Sequence, residues 1–229
     1  MARQLYELVG TDPARRFSPF CWRSRMALAH KGLDADVIPW RFTENSRLAA
    51  LGGKTVPILL DGEATLTDSW DIALHLERSY PTAPALFQGL PETYRFIGAW
   101  ADMVLHPALA KLIVSDIVPL LGPSDAAYFI ESREKRFGMP LAQVTAGREA
   151  RLPEFRALLA PLRRVLGTQP FLGGATPDYA DYTVLGGFMW ARSVSPLRLL
   201  EAGDDLHAWR ERMLDLFGGL ARGAPALEA

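Results

Sequence analysis

The 229-residue chain holds a single cysteine, Cys21, so no internal disulfide can form and a disulfide-stapled scaffold is excluded. It carries almost no net charge. Twenty-five Lys+Arg against 26 Asp+Glu leave −1 with histidine neutral, which supplies no positive field to gather nucleic acid or an anionic membrane, and neither is expected as a partner. The four histidines, His30, His75, His106 and His207, lie far apart with no His or Cys at ligand spacing, so no metal site is expected. The opening MARQLYELVG shows neither a basic segment nor the apolar core of a secretion signal, and the expectation is a cytoplasmic protein. Uninterrupted apolar runs of membrane-spanning length are missing as well. The nearest stretch, residues 96–121, is broken by Asp102, His106, Lys111 and Asp116 and punctuated by Pro107 and Pro119. It reads as a long core helix bent or broken at its prolines. Internal repeats, G-x-S-x-G, phosphate-loop and dinucleotide fingerprints are also lacking.

What is present is an ordinary globular composition, 49% hydrophobic and 22% charged, with a mean hydropathy of +0.04, far from the compositions that stay disordered. The hydrophobic period changes quickly over the first 80 residues. Gln4–Val9 is strand-like; Pro19–His30 is helical with Gly32 as its stop; Ala35–Trp40 and Val56–Leu60 alternate as strands; Thr65–Thr67 is a further short strand. Asp68–Tyr80 is helical and Pro81 ends it. The turn Asp61-Gly62 can join only antiparallel neighbours, whereas a β-α-β crossover makes parallel ones, so a small mixed sheet is predicted. From about Pro91 every period is helical. Pro91 and Pro153 stand where first-turn prolines are tolerated, and Asp178 with Asp181 resembles a capping pair opening a helix over 179–192. Strands followed by a run of helices predict an α+β, two-domain layout with the boundary near residues 81–91.

Three places could carry chemistry. Ser18, in Phe17-Ser18-Pro19-Phe20-Cys21, stands where a helix begins, and unpaired N–H groups there favour a thiolate or other anion. From this segment alone Ser18 reads first as a plain N-cap followed by a first-turn proline. Val56-Pro57 follows a polar loop containing Gly52, Gly53 and Lys54; the proline is either a trans edge residue or a cis bond that presents the Val56 backbone to a ligand. Asp68-Ser69 opens the next helix, as a simple cap or as a receptor for the charged end of an amino acid. Phe17, Trp40 and Phe42 flank these loops, and Met103 and His106 sit on the first long C-terminal helix. They are core residues or the lining of a second pocket. Trp190 and the Gly186-Gly187 pair read as support for close helix packing. Arg15-Arg16, Arg23/Arg25 and Arg163-Arg164 read as solvated faces.

The order of these features, a strand, an S-P-F-C helix, a V-P strand, a D-S helix and then an all-helical half, resembles the cytosolic glutathione transferases over essentially the whole chain. F-S-P-F-C-W-R-S-R-M-A-L-A-H-K-G, A-G-R-E-A-R-L-P-E-F-R, Q-P-F-L-G-G, D-Y-A-D-Y-T-V-L-G-G-F-M-W-A-R-S-V-S and W-R-E-R-M-L-D-L-F-G-G-L are similar to the bacterial β-etherase branch of that superfamily. The resemblance implies a thioredoxin-like glutathione-binding domain over residues 1–82, an all-helical domain over 91–229 contributing the second-substrate pocket, and a serine-type enzyme. Glutathione is then the co-substrate and a small hydrophobic aromatic electrophile the second substrate, with β-aryl ethers among the candidates, and the protein a homodimer. By the same resemblance Ser18 hydrogen-bonds the glutathione sulfur. Val56, before the cis proline Pro57, pairs its backbone with the cysteinyl unit, and Asp68 and Ser69 hold the γ-glutamyl end. Lys54 is the candidate for the glycyl carboxylate, although relatives often carry the basic residue directly before the valine, where this chain has Thr55. Asp178 replaces the usual Ser/Thr of the C-terminal capping box. The second-substrate pocket is expected to use Phe17, Trp40, Phe42, Met103 and His106. Tyr6 is a rival thiol activator. Cys21 occupies the second position of a C-x-x-C whose first position is Ser18, which removes the two-cysteine exchange route and leaves Cys21 a small core residue. A carrier that binds aromatic ligands without turnover, and a transferase or peroxidase acting on another electrophile, share the same residues.

Overall fold

The computed structural model describes residues 3–228; Met1, Ala2 and Ala229, at the ends of the two expected domains, lie outside the described residues. Four strands, β1 (Gln4–Leu8), β2 (Asp36–Trp40), β3 (Ile58–Asp61) and β4 (Ala64–Leu66), form one sheet in the order β2-β1-β3-β4. β1 runs parallel to β2 and antiparallel to β3, with Tyr6 opposite both Ile38 and Ile58. β3 and β4 form the tight hairpin, in which Gly62 takes a left-handed φ of +63° that a β-carbon would disfavour. Helix α1 (Pro19–His30) is the crossover between the parallel strands, and α3 (Ser69–Ser79) packs beside it. This is a thioredoxin-like unit. One element departs from the sequence reading: the polar loop after β2 contains a short helix, α2 (Asn45–Ala49), with no side-chain cap.

The rest of the chain is helical. α4 (Arg95–Trp100) runs into a π turn (Ala101–Leu105), then α5 (His106–Ile113), then a 3₁₀ stretch (Val114–Leu120) containing Pro119. The expected break at the prolines therefore takes the form of changed helical pitch. Pro107 has no N–H to give to the preceding turn, and the α-ladder widens there. Taken as one helical run of 30 residues, Pro91–Leu120 has the length and apolar content of a membrane span, which the interrupted sequence concealed; here it packs beside α10 (Tyr179–Val194), and its Asp102 is ion-paired with Arg23. The remaining helices are α6 (Pro123–Phe137), α7 (Leu141–Thr145), α8 (Leu152–Leu158), α9 (Ala160–Leu166) and α11 (Asp205–Gly219), the last kinked at Leu216–Gly218.

α10 is the central helix. The predicted capping pair forms a reciprocal box, with Asp178 as N-cap and Asp181 returning to the Asp178 N–H at 3.1 Å, and Trp209 of α11 donates its indole N–H to Asp181 at 2.7 Å. Nearly every residue of α10 is buried, as befits a helix packed on all sides. At Gly186 a β-carbon would stand 2.3 Å from the Pro19 carbonyl oxygen. The glycine lets α10 lie against the first turn of α1, next to Ser18. Gly10 permits a second close approach, of the loop after β1 to the end of the 3₁₀ stretch: its β-carbon would meet the Leu120 carbonyl oxygen at 2.3 Å, and the adjacent Thr11 N–H donates to that carbonyl at 2.8 Å.

Candidate active site

Ser18 caps α1 with extended backbone angles, and its hydroxyl oxygen accepts the Cys21 N–H at 3.3 Å. That bond uses a lone pair, and the hydroxyl proton, which also interacts with the buried Cys21 thiol, is the group that could be given to a stronger acceptor. The residue is 5% exposed and lies where α10 meets α1, beside the cavities described below. Cys21, three residues on, is fully buried, and burial beside Glu7 pushes its thiol up to about 12. It is a core residue, not a thiolate. Glu7 is itself buried and paired with Arg16 at 2.7 Å and Arg25 at 2.9 Å. Tyr6 sits mid-strand and lines neither cavity.

Two cavities of about 370 Å³ each meet at Ser18. The first is polar. Ser18, Lys54, Val56, Pro57, Thr67 and Asp68 all line it, so residues spread over fifty positions converge around one space. The Val56–Pro57 peptide is cis. Asp68 caps α3 by accepting the Trp70 N–H at 2.8 Å. Ser69, the first residue of that helix, is buried and lies with Asp68 along a neighbouring recess, while its carbonyl accepts the Tyr179 hydroxyl at 2.9 Å. That bond ties α3 to α10. Trp40 belongs to this polar cavity and donates its indole N–H to the Glu44 carbonyl at 3.1 Å; the sequence reading had assigned it to the second-substrate pocket.

The second cavity is apolar and lies between the sheet unit and the helices. Phe17, Phe42 and His106 line it, joined by Phe129, Phe137 and Trp190. Met103 does not. It is 77% exposed and lies along a separate groove with Lys111 and Phe155. An α-helix would put Met103 and His106 on one face, but the intervening π turn adds a residue to the turn and rotates them apart. Trp190, read from sequence as a packing residue, contacts His106 edge to face at 6.2 Å and faces the cavity, while Gly186 and Gly187 do serve packing. His106 is 8% exposed, and burial with Arg23 nearby pushes it down to about 3, so its imidazole is neutral at pH 7. Arg23, a solvated residue by its sequence pattern, is instead buried, donates to Asp102 at 2.6 Å and lies over Phe20. The residues sequence reasoning missed come mainly from α6. Phe129, Arg133, Arg136 and Phe137 recur at helical spacing on one face, and the two arginines line both cavities. That period was the signal, but nothing local said what it faced.

Comparison with known proteins agrees with this architecture. Residues 17–79 match the family model described as glutathione S-transferase, N-terminal domain, and residues 94–213 the one described as glutathione S-transferase, C-terminal domain. The glutathione S-transferase-like protein ustS of Aspergillus flavus is 26% identical over 161 residues, 65% of this chain and 54% of that protein. Glutathione S-transferase Z1 of Arabidopsis thaliana is 37% identical over 76 residues, 28% of this chain and 34% of that protein. The chain thus matches about half or less of the length of these two relatives. A Ceriporiopsis subvermispora glutathione S-transferase solved in complex with glutathione superposes with a TM-score of 0.81 at 24% identity, covering 95% of this chain and 96% of the other, a likeness of fold. With both domain models matched in order on a thioredoxin-like sheet followed by a helical domain, the chain belongs to the glutathione S-transferase family.

Proposed function

We propose that the protein is a glutathione transferase in which the Ser18 hydroxyl stabilises the thiolate of bound glutathione, and that this thiolate attacks an electrophilic carbon of an aromatic substrate in the apolar cavity. The observation that carries the reading is the position of Ser18: a buried helix N-cap whose hydroxyl stands at the junction of a more polar and an apolar cavity. Asp68 in the polar cavity and Ser69 in the recess beside it, at the start of α3, hold the γ-glutamyl end, the Val56 backbone pairs with the cysteinyl unit, Pro57 shapes that loop, and Lys54 reaches the glycyl carboxylate. The α1 N-terminus adds positive potential at the sulfur. Together these lower the thiol pKa from its ordinary ~8.5 toward neutrality. The attack forms a C–S bond while the leaving group departs with the electron pair of the broken bond, and the thiol proton passes to solvent. For a β-aryl ether the broken bond is C–O, the leaving group a phenolate and the product a glutathione thioether. Phe17, Phe42 and Trp190 supply the apolar walls that hold the ring and exclude water.

The test is retention on immobilised glutathione followed by glutathione-dependent release of a fluorescent phenol from a model aryl ether. Retention with phenol release supports the β-etherase reading; retention with turnover only of other electrophiles leaves a transferase of different scope; ligand binding without glutathione consumption makes the protein a carrier. A homodimer belongs to the same reading. Phe96 and Met103 place exposed apolar side chains along the first helical run of the second domain, and a sedimentation mass checks it.

A further inference from the structure

Most arginines of this chain that reach a cavity or the core are matched to a carboxylate. Arg23 has Asp102, Arg148 has Asp116, Arg163 has Asp204 and Arg210 has Glu228, at 2.5–2.7 Å. Arg133 and Arg136 break the pattern. They stand three residues apart on one face of α6 and both line the two cavities that meet at Ser18. Among the described residues neither makes an ion pair with an acidic side chain; Arg133 donates to the Ser132 hydroxyl, at 2.9 Å, and hydrogen-bonds the Tyr128 hydroxyl. The Arg133 guanidinium lies over Phe129, 4.8 Å from the ring centroid, and over Phe42 at 5.4 Å. Stacking of this kind pins the plane of a guanidinium and leaves its N–H edge free for a two-pronged acceptor. Burial and the neighbouring Arg136 charge hold Arg133 below the usual arginine range, the state of a cation that lacks its counter-charge. Asp102, the carboxylate on the cavity's far side, is already engaged by Arg23, and His106 beside it is neutral. The cavity therefore has aromatic walls and a positive pole with no carboxylate paired to it among the described residues.

We propose that the second substrate is an aromatic acid, bound with its ring among Phe17, Phe42 and Trp190 and its carboxylate, or an equivalent anionic group, on Arg133 and Arg136. This rests on the proposed transferase reading for the reaction, but the binding step stands apart from it. The probes are nitrobenzoate and its methyl ester, the same ring with and without the charge. They are titrated calorimetrically into the intact protein, with and without glutathione. The wild type is expected to bind the acid at least about tenfold more tightly than the ester, as charge-assisted bonds in a partly buried site imply, with the preference shrinking at ~0.5 M salt. Arg133→Gln and Arg136→Gln should each reduce that preference and together abolish it, with Arg136→Gln, where the arginine stacks on no ring among the described residues, leaving ester binding unchanged. Because Arg133 also packs on two rings, the exposed Arg136 and the variant Arg133→Lys keep the test decisive if Arg133→Gln folds poorly. Equal binding of acid and ester, or a preference that survives the double substitution, overturns the proposal while leaving the transferase reading intact. Weakened glutathione binding with the acid unaffected also overturns it, since the pair would then serve the tripeptide. Acid preference without any glutathione binding upholds the anion site and removes the transferase reading instead.

Discussion

Replacing Ser18 with alanine separates two roles of one hydroxyl. As a cap it accepts the Cys21 N–H at 3.3 Å, and Ser→Ala at an N-cap costs ~0.5–2 kcal/mol of stability, whereas Ser→Gly costs only a few tenths. As a donor to the glutathione sulfur it makes a bond to a charged acceptor, worth ~1.5–3 kcal/mol. At about 1.4 kcal/mol per pKa unit that loss raises the bound thiol by ~1–2 units. If the wild-type thiol titrates near 7, the thiolate fraction at neutral pH falls from about half to ~1–10%, and kcat/KM falls by ~5–50-fold. The assay is the pH profile of kcat/KM with an activated aryl halide. Ser18→Ala and Ser18→Gly should show the same displaced profile, while only the alanine variant loses appreciable urea stability. A profile that stays in place in both variants would refute the donor role and leave Ser18 a structural cap. Profiles that differ between the two variants would show that helix disorder, not the lost proton, slows the enzyme.

Three further outcomes follow from the geometry. Asp68→Asn keeps a good cap for the Trp70 N–H but removes the charge, so KM for glutathione should rise about tenfold with kcat at saturation little changed; an unchanged KM would take Asp68 out of the tripeptide site. Cys21, with its thiol pushed up to about 12, should resist iodoacetamide at pH 8 in the folded protein and react on unfolding, and rapid native labelling would contradict its burial. His106 is held at about 3 when folded and titrates near 6.5 when unfolded. Between those values the unfolded chain binds the extra proton, so stability declines as pH falls from about 6.5 toward 3, by up to ~1.4 kcal/mol per unit. His106→Gln should flatten that decline in urea titrations, and an unaltered slope would assign the acid sensitivity to other groups.

Much of the sheet unit is legible in the chain because its signals are local. The Pro19 start and Gly32 stop bound α1, the Asp61-Gly62 turn defines the hairpin, and the Asp178 with Asp181 spacing marks the start of α10. The loop helix α2 is not, since five residues cannot display a helical period and no capping side chain announces them. The polar cavity is legible for the same reason as the sheet: Ser18, Val56 and Asp68 all sit at element boundaries, where unpaired backbone groups make small motifs meaningful. The apolar cavity is not local. Its walls come from α1, the loop after β2, α5, α6 and α10, and which side of each helix faces inward depends on packing that no segment encodes alone. Met103 shows the failure most clearly, because a helical phase carried through the π turn at Ala101–Leu105 points the wrong residue inward. Arg23 shows a second failure: a charged residue in sequence reads as solvated, and only the fold reveals that it is buried on Asp102, just as only the fold reveals Arg133 stacked on two rings.

A crystal structure with glutathione bound tests the central claim most directly. The account predicts the sulfur within hydrogen-bond distance of the Ser18 hydroxyl oxygen, the γ-glutamyl end at Asp68 and Ser69, and the apolar cavity open beyond the sulfur. A sulfur held by Tyr6, or lying away from the α1 N-terminus, would contradict it.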